Sequence, residues 1–300
     1  MSVYMCHYRW VNGQSAQARE LGLQARALAD SLDEFSLTIT VNYYLGLACL
    51  SAGDYPGAET YLKENVALLE GDLIHERFGV AGYPAGMSRT YLAWALAEQG
   101  AFDEGVACGR EGVQMARDIN HTWSVVTASW GLATLYIVKG ETREALEILE
   151  HALSLAREMS LGALTPGVKG SLGYALAVSG RVSEGLAMVQ EAIEDAEASG
   201  RLAFHALLVT YAGEGLLFAD QLEDARAVAK RALALARDRG ERGVEARALC
   251  LMGDIIKRST PGEPQACVSR YEVALTLAGE LGMRPLAARC RLALEQLSGC

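Results

Sequence analysis

The stretch from Thr127 to Ala156, TASWGLATLYIVKGETREALEILEHALSLA, decides the fold. Leu132 and Tyr136 belong to a stripe with the i, i+3, i+4 spacing of a buried helix face, and a second such stripe runs through 145–156. Between the two stripes Gly140 is a good helix terminator, because glycine takes a left-handed backbone at little cost. The stretch therefore predicts a helix, a short turn and a second helix. One such hairpin cannot bury both of its faces, so it needs neighbours.

The same unit recurs along the chain with a nearly constant period. The turn markers are Gly13, Gly53, Gly100, Gly140, Gly180 and, without a glycine, Asp220. Successive markers are 40 residues apart, except for a spacing of 47 between Gly53 and Gly100. From Gly53 onward, each marker is followed five residues later by a small residue: Ala58, Gly105, Ala145, Gly185, Ala225. A fixed offset that repeats in this way indicates an array of stacked hairpins.

We therefore predict one all-α domain over residues 1–300, an α-solenoid. Its form is a right-handed superhelix of about seven helical hairpins with a period of ~40 residues and a C-terminal capping helix. The predicted repeats are 1–31, 32–70, 83–119, 120–160, 163–199, 201–239 and 242–282, with the capping helix at 285–297. The last repeat has its turn near Ser259–Gly262. The longer spacing places a glycine-rich segment at Gly71–Gly86, which is either a plain inter-repeat loop or a loop that folds over the groove and shapes a ligand site.

Composition excludes several classes of protein. The hydrophobic fraction of 51% with 21% charged residues suits close-packed helices, and the net charge of −10 argues against a nucleic-acid surface. The sequence has no run of 18 apolar residues and no signal peptide, so we expect no membrane partner and a cytoplasmic protein. The seven cysteines are scattered and odd in number, which favours reduced and mostly buried thiols.

Motifs of catalysis are missing from the sequence. It contains no GxxxxGK[ST] phosphate loop, no GxGxxG, no HExxH and no GxSxG. The five histidines each stand alone, whereas a zinc site needs three or four converging ligands. We therefore expect no catalytic residue, no metal, no cofactor and no enzyme.

The packing positions carry a resemblance to known families. Leu132, Gly140, Ala145 and Leu149 resemble the small and large positions of a tetratricopeptide (TPR) repeat. Segments such as ERFG, SLGYALAVSG and ELGMRPLAARC are similar to the C-terminal TPR region of bacterial signalling proteins that join a class III adenylate/guanylate cyclase domain to an ATPase domain. That resemblance implies a regulatory or interaction segment. The catalytic residues of such proteins lie in domains outside this chain, so no catalytic role is carried over.

The resemblance also places a candidate binding surface. In TPR arrays the first helix of each hairpin lines the concave face. The positions there that we predict to meet a ligand or partner are Tyr43, Leu47, Thr90, Trp94, Trp130, Thr134, Tyr174, Thr210, Glu214 and Asp254. Aromatic residues often anchor binding, but the same rings could equally pack between neighbouring repeats. The Lys/Asn pattern with which chaperone-type TPRs hold a peptide carboxylate is missing from these positions.

Two functions remain open at this stage. The first is a non-catalytic scaffold that binds a protein or peptide as the regulatory module of a bacterial signalling protein. The alternative is a sensor that binds a small molecule or peptide inside the superhelix, near Trp94, Trp130 and the Gly71–Gly86 segment. A homo-oligomer formed through the exposed N-terminal half-repeat is a further alternative.

Overall fold

The computed structural model describes residues 2–260 and 264–298, and within these ranges the regular structure is helical. The fifteen helices of the described residues are α1 (Ser2–Val11), α2 (Ser15–Leu32), α3 (Phe35–Ala52), α4 (Tyr55–Leu68), α5 (Pro84–Glu98), α6 (Phe102–Asp118), α7 (Thr122–Lys139), α8 (Thr142–Glu158), α9 (Thr165–Val178), α10 (Val182–Ser199), α11 (His205–Phe218), α12 (Leu222–Arg239), α13 (Arg242–Ser259), α14 (Pro264–Glu280) and α15 (Arg284–Ser298). One 3₁₀ turn, Gly71–His75, lies between α4 and α5. The predicted turn near Ser259–Gly262 lies in part outside the described residues, as does Cys300.

The helices pair in chain order into seven antiparallel hairpins, from α1/α2 to α13/α14, and α15 packs on α14. The turns of the first six hairpins each use a left-handed residue. Gly140 has φ +84° and its N–H bonds to the Ile137 carbonyl at 3.1 Å, while Asp220 takes the same conformation with φ +60°. Asx side chains tolerate this conformation better than most residues, which explains a turn without glycine. The predicted α-solenoid of TPR-like hairpins is confirmed.

The small residue after each turn is required by backbone approach. Ala145 is fully buried against α7, and a Cβ added at Gly185 would lie 2.3 Å from the Gly173 carbonyl oxygen. Real Cβ atoms do not approach that closely, so a larger side chain would force the two helices apart. The small residue five positions after the turn marker therefore lies where the two helices of a hairpin approach closely.

The array turns so tightly that distant hairpins meet. The Val11 carbonyl at the end of α1 accepts hydrogen bonds from the N–H groups of Leu202 (2.7 Å) and Ala203 (3.2 Å), in the connection between α10 and α11. Ser15 Oγ lies 3.1 Å from Glu241 Oε1, 226 residues away. Helix α3 also touches α13, and α5 touches α15. Because of these contacts the inner surface of the superhelix faces other hairpins rather than an open groove.

The inner helices are buried on all sides as a result. In α5 every residue from Pro84 to Glu98 is buried, whereas α6 buries one stripe that includes Gly105 and Val113. By length and composition α3 is apolar enough to cross a membrane, with a mean hydropathy of 1.3, but 78% of it is buried inside the array. We interpret α3 as a core helix.

Candidate functional site

A cavity of about 160 Å³ remains inside the superhelix, between its first hairpins and the α8–α11 region. Its deep wall is formed by buried side chains of the inner helices, including Tyr43, Leu47, Tyr91 and Leu208. Half-buried residues stand at its mouth: His7 on α1, Trp123 on α7, Ala163 before α9 and Arg201 before α11. The cavity is thus an enclosed, largely apolar space of the kind that binds small ligands.

One aromatic residue separates this cavity from the rest of the interior. Phe204 is 4% exposed and stacks on Trp94, with ring centroids 4.7 Å apart. Its ring also meets Trp130 edge-on at 5.6 Å and Trp10 at 5.8 Å. The Phe204 backbone has φ +59°, which is an uncommon conformation for a bulky residue. The connection after α10 is therefore held in a strained form that inserts an aromatic ring into the centre of the superhelix.

Two basic residues stand at the mouth of the cavity. The His7 ring stacks on Tyr44 with centroids 4.4 Å apart. Burial lowers the pKa of His7 to about 4, and repulsion from the nearby Arg201 guanidinium adds to this effect. His7 is therefore neutral at pH 7. Among the described residues the Arg201 side chain has no hydrogen-bond acceptor and no ion-pair partner, and the cavity lining contains no Asp or Glu. With His7 neutral, Arg201 carries the one formal charge among the described residues that line the cavity, and that charge is positive.

A second polar group lines the cavity without a partner. Thr127 on α7 is 2% exposed, and its Oγ1 has no hydrogen-bond partner among the described residues. Other buried threonines of the inner helices bond to their own helix: Thr134 Oγ1 donates to the Trp130 carbonyl at 2.9 Å, and Thr210 Oγ1 to the Ala206 carbonyl at 2.9 Å. A buried hydroxyl without a partner costs stability, so such groups are rare and often functional.

The glycine-rich segment between α4 and α5 reaches this mouth. Val80 and Ala81 line the cavity, and the Arg77 guanidinium donates to the Ala81 carbonyl at 2.7 Å. The segment is joined to α7 because the Tyr83 N–H donates to Ser124 Oγ at 2.9 Å. It therefore forms one rim of the cavity.

The C-terminal half of the interior is filled by paired charges. Arg247 on α13 donates to both carboxylate oxygens of Glu98, at 2.5 and 2.6 Å, and Trp94 Nε1 also donates to Glu98. Arg289 on α15 bridges Glu214 (3.0 Å) and Asp254 (2.6 Å). Burial by itself lowers the pKa of Arg289, but the nearby carboxylates of Glu214 and Asp254 outweigh this effect. The pKa of Arg289 is therefore raised, and the guanidinium stays charged. These pairs join α5 to α13, and α15 to α11 and α13, across the interior.

The structure brings three of the ten predicted site residues to the cavity: Tyr43, Leu47 and Trp130. The others lie elsewhere in the interior. Trp94 packs behind Phe204, Glu214 and Asp254 bind Arg289, and Tyr174 stacks on Tyr211 with centroids 4.0 Å apart. Thr90, Thr134 and Thr210 are buried and bond to carbonyls of their own helices.

Sequence reasoning missed the residues that close the cavity. His7 and Arg201 lie outside the concave-face positions, and Phe204 precedes a helix in a connection between hairpins. The Gly200–Phe204 connection carries an arginine and a phenylalanine, but the α4–α5 connection carries Arg77 and Phe78 as well, so its composition did not single it out. Six cysteines of the described residues form no disulfide, five of them are buried, and no cluster of three metal-ligating side chains occurs in that part of the chain.

The comparisons with known proteins concern the fold. No protein-family model matches the chain. Human tetratricopeptide repeat protein 29 is 28% identical over 148 residues, which are 49% of this chain and 30% of the human protein. A solved Rap protein complexed with Competence and Sporulation Factor has a TM-score of 0.58 at 11% identity, and the match covers 99% of this chain and 97% of that one.

Two further solved structures show the same architecture. PlcR of Bacillus thuringiensis, in complex with the peptide PapR7 and DNA, has a TM-score of 0.57 at 12% identity and covers 77% of this chain and 83% of its own. Aspartyl phosphate phosphatase F of Bacillus subtilis has a TM-score of 0.54 at 13% identity, and the match covers 94% of this chain and 74% of that one. The chain therefore has a TPR-like helical-repeat fold.

Proposed function

We propose that this chain is a non-catalytic regulatory module that binds a small molecule or the end of a peptide in its interior cavity. The observation that carries the proposal is the enclosed cavity of about 160 Å³ behind His7 and Arg201. Arg201 at its mouth has no acceptor among the described residues and Thr127 Oγ1 in its wall has no partner there, so a ligand in the cavity can bond to both. An extended peptide along the concave face is disfavoured because the predicted contact residues there pack against other hairpins.

The cavity supplies its own reporter, since Trp10, Trp123 and Trp130 line it. We expect a bound ligand to change their emission, so titration with short peptides and small aromatic compounds tests binding directly. Ala163→Trp would fill the mouth and abolish the change. Gly162→Trp is the matched control, because a side chain there meets open space. Ligands whose effect survives Ala163→Trp, or a screen in which no ligand alters emission, would refute interior binding.

The second candidate is a protein-interaction scaffold that uses the outer surface. It is favoured by the TPR-like fold, by the PlcR complex with the peptide PapR7, and by the exposed apolar face of α1, where Tyr4 and Tyr8 are 54% and 57% exposed. A second copy bound to that face would make a homo-oligomer. The mass in solution, compared between the native chain and Tyr4→Glu/Tyr8→Glu, tests this: a monomer in both would exclude it.

The wider setting is also a proposal. The resemblance of ERFG and ELGMRPLAARC to cyclase-linked TPR regions supports a cytoplasmic, bacterial signalling protein in which this module controls a separate catalytic domain. Detection of the native gene product by an antibody to this chain tests it, because a fusion would be much larger than the 32.2 kDa of these residues. A product of 32.2 kDa would exclude a covalently linked catalytic domain.

A further inference from the structure

The cavity combines open space with a buried hydroxyl, Thr127 Oγ1, that has no partner among the described residues, whereas the other buried unsatisfied atoms, such as Asn42 Nδ2 and Glu241 Oε2, do not line it. Arg247 and Arg289 each hold carboxylates at 2.5–3.0 Å. Arg201 faces the cavity mouth without such an acceptor among the described residues. The acid one helical turn before it, Glu197, is already used by His205 (3.0 Å from Nε2) and by Arg231. The half-buried Arg201 guanidinium therefore remains available to an acceptor on a ligand that displaces water from the mouth.

The chemistry of the mouth selects an anion of a particular shape. A guanidinium presents a planar fork of N–H donors that fits a carboxylate with two parallel hydrogen bonds. His7 is neutral and stands beside Arg201, so it can bond to the same group without competing for its charge. No carboxylate in the lining opposes an incoming anion.

The interior behind the mouth selects an apolar ring. A cavity of roughly 150 Å³ with apolar walls holds a benzene-sized molecule, and this one measures about 160 Å³. Trp130, Phe204 and Tyr44 supply aromatic faces on which a flat group can stack. Thr127 Oγ1 adds one polar atom in the deep wall, where a ring hydroxyl or N–H could bond to it.

We propose that the ligand is a carboxylate joined to a single flat apolar ring, with the carboxylate on Arg201 and the ring between Trp130, Phe204 and Tyr44. This inference rests on the proposed interior binding and specifies its ligand class. Two sources offer the same chemistry: a free aromatic acid, and the C-terminal residue of a peptide that ends in an aromatic side chain.

The test measures binding of matched probes by tryptophan emission and calorimetry. The probes are 3-phenylpropionate and its uncharged amide, and an acetylated tripeptide ending in phenylalanine with a free or an amidated C-terminus. We expect each acid to bind about tenfold or more tightly than its amide, because a hydrogen bond to a charged group is worth more than a neutral one. Whether the free acid or the peptide binds more tightly identifies the source.

Variants assign the effect to Arg201. Arg201→Gln is expected to weaken acid binding about tenfold or more and to leave amide binding unchanged. Arg157→Gln is the matched control, since Arg157 is exposed on α8 and away from the cavity. Melting temperatures establish that each variant is folded. A bound carboxylate should also raise the pKa of His7, which NMR titration of its ring protons reports.

The outcomes separate the two proposals. Equal affinity for acid and amide, or an Arg201→Gln variant that binds the acid like the native chain, would overturn the anionic ligand while interior binding stands. No binding of any probe by the native chain, with a cavity that no screened compound enters, would overturn both.

Discussion

The two halves of the interior are built from the same repeat but differ in what occupies the space between hairpins. In the C-terminal half, Glu98 with Arg247 and Glu214 with Arg289 fill the space between hairpins with satisfied ion pairs. In the half that contains the cavity, Arg201 has no acceptor and Thr127 Oγ1 no partner among the described residues. Burying polar groups is tolerated where they satisfy one another and costly where they do not.

The difference teaches where to look for function in a closed solenoid. A concave face is often treated as one continuous binding groove, but here most of it has become core. The site is the part in which the chain leaves polar groups unsatisfied around an empty space. Each prediction below tests that contrast, from the largest expected effect to the smallest.

The largest effect is expected from breaking the filled half. Arg247→Met leaves the Glu98 carboxylate, 4% exposed, without its cation, and should lower the free energy of unfolding by about 3–5 kcal/mol. Arg181→Met is the control, because Arg181 pairs with Glu184 at the surface and its loss should cost less than about 0.5 kcal/mol. Urea denaturation measures both. Similar costs for the two variants would mean that the Arg247–Glu98 pair does not stabilise the contact between α13 and α5.

The next effect concerns the contact between α2 and α13. Burial raises the pKa of Glu241 to about 7, although Arg239 and the hydrogen bond from Ser15 oppose this shift. The folded state thus favours the neutral acid. Its stabilising contribution is full below the unfolded pKa near 4.5 and is lost as pH rises through about 7, a change of about 3 kcal/mol.

Glu241→Gln removes this pH dependence, so the readout is the difference in unfolding free energy between native chain and variant from pH 4.5 to 8. The comparison with the variant is needed because the titration of His7 changes the stability of both chains with pH in the opposite sense to Glu241. Its lowered pKa means that stability falls as pH drops from 6.5 towards 4. A constant difference across this range would show that Glu241 ionises normally.

A smaller effect is expected at the wall of the cavity. A Cβ at Gly167 would lie 2.5 Å from the Trp130 ring, so Gly167→Ala must move that ring. We expect a cost of about 1–3 kcal/mol from overpacking and a changed tryptophan emission. Gly162→Ala meets no atom within 4 Å and serves as the control. An unchanged emission and stability for Gly167→Ala would mean that the wall is loosely packed.

The smallest effect compares two threonines of α7, Thr127 and Thr134, which lie about two helix turns apart. Thr134→Val removes a hydroxyl that bonds to the Trp130 carbonyl, whereas Thr127→Val removes one that has no partner. We expect Thr127→Val to be more stable than Thr134→Val by about 1 kcal/mol in urea denaturation. The reverse order would indicate that Thr127 is already satisfied in the unliganded chain.

The fold could be predicted because it is encoded locally. Gly140 and Ala145 fix one turn and one close approach, and a turn marker followed five residues later by a small residue recurs from the second to the sixth repeat. The cavity could not be predicted, because it depends on how the rotation of each hairpin accumulates along the array. The accumulated rotation brings Leu202 into hydrogen-bond contact with Val11 and stacks Phe204 on Trp94. Trp130 could be predicted from its position on its helix. Arg201 could not, because it lies in a connection between hairpins, and the local repeat pattern does not say which part of the array that connection will contact.

The hydrogen bonds between Val11 and the α10–α11 connection have a consequence for how this protein comes apart. Open arrays of repeats unfold piecemeal, since each unit depends only on adjacent units. Here the first hairpin is hydrogen-bonded to the connection between the fifth and sixth hairpins, so removing the first hairpin would also expose those two. We expect a single cooperative melting transition, and we expect fragments cut from either end to lose far more stability than the excised repeats alone account for.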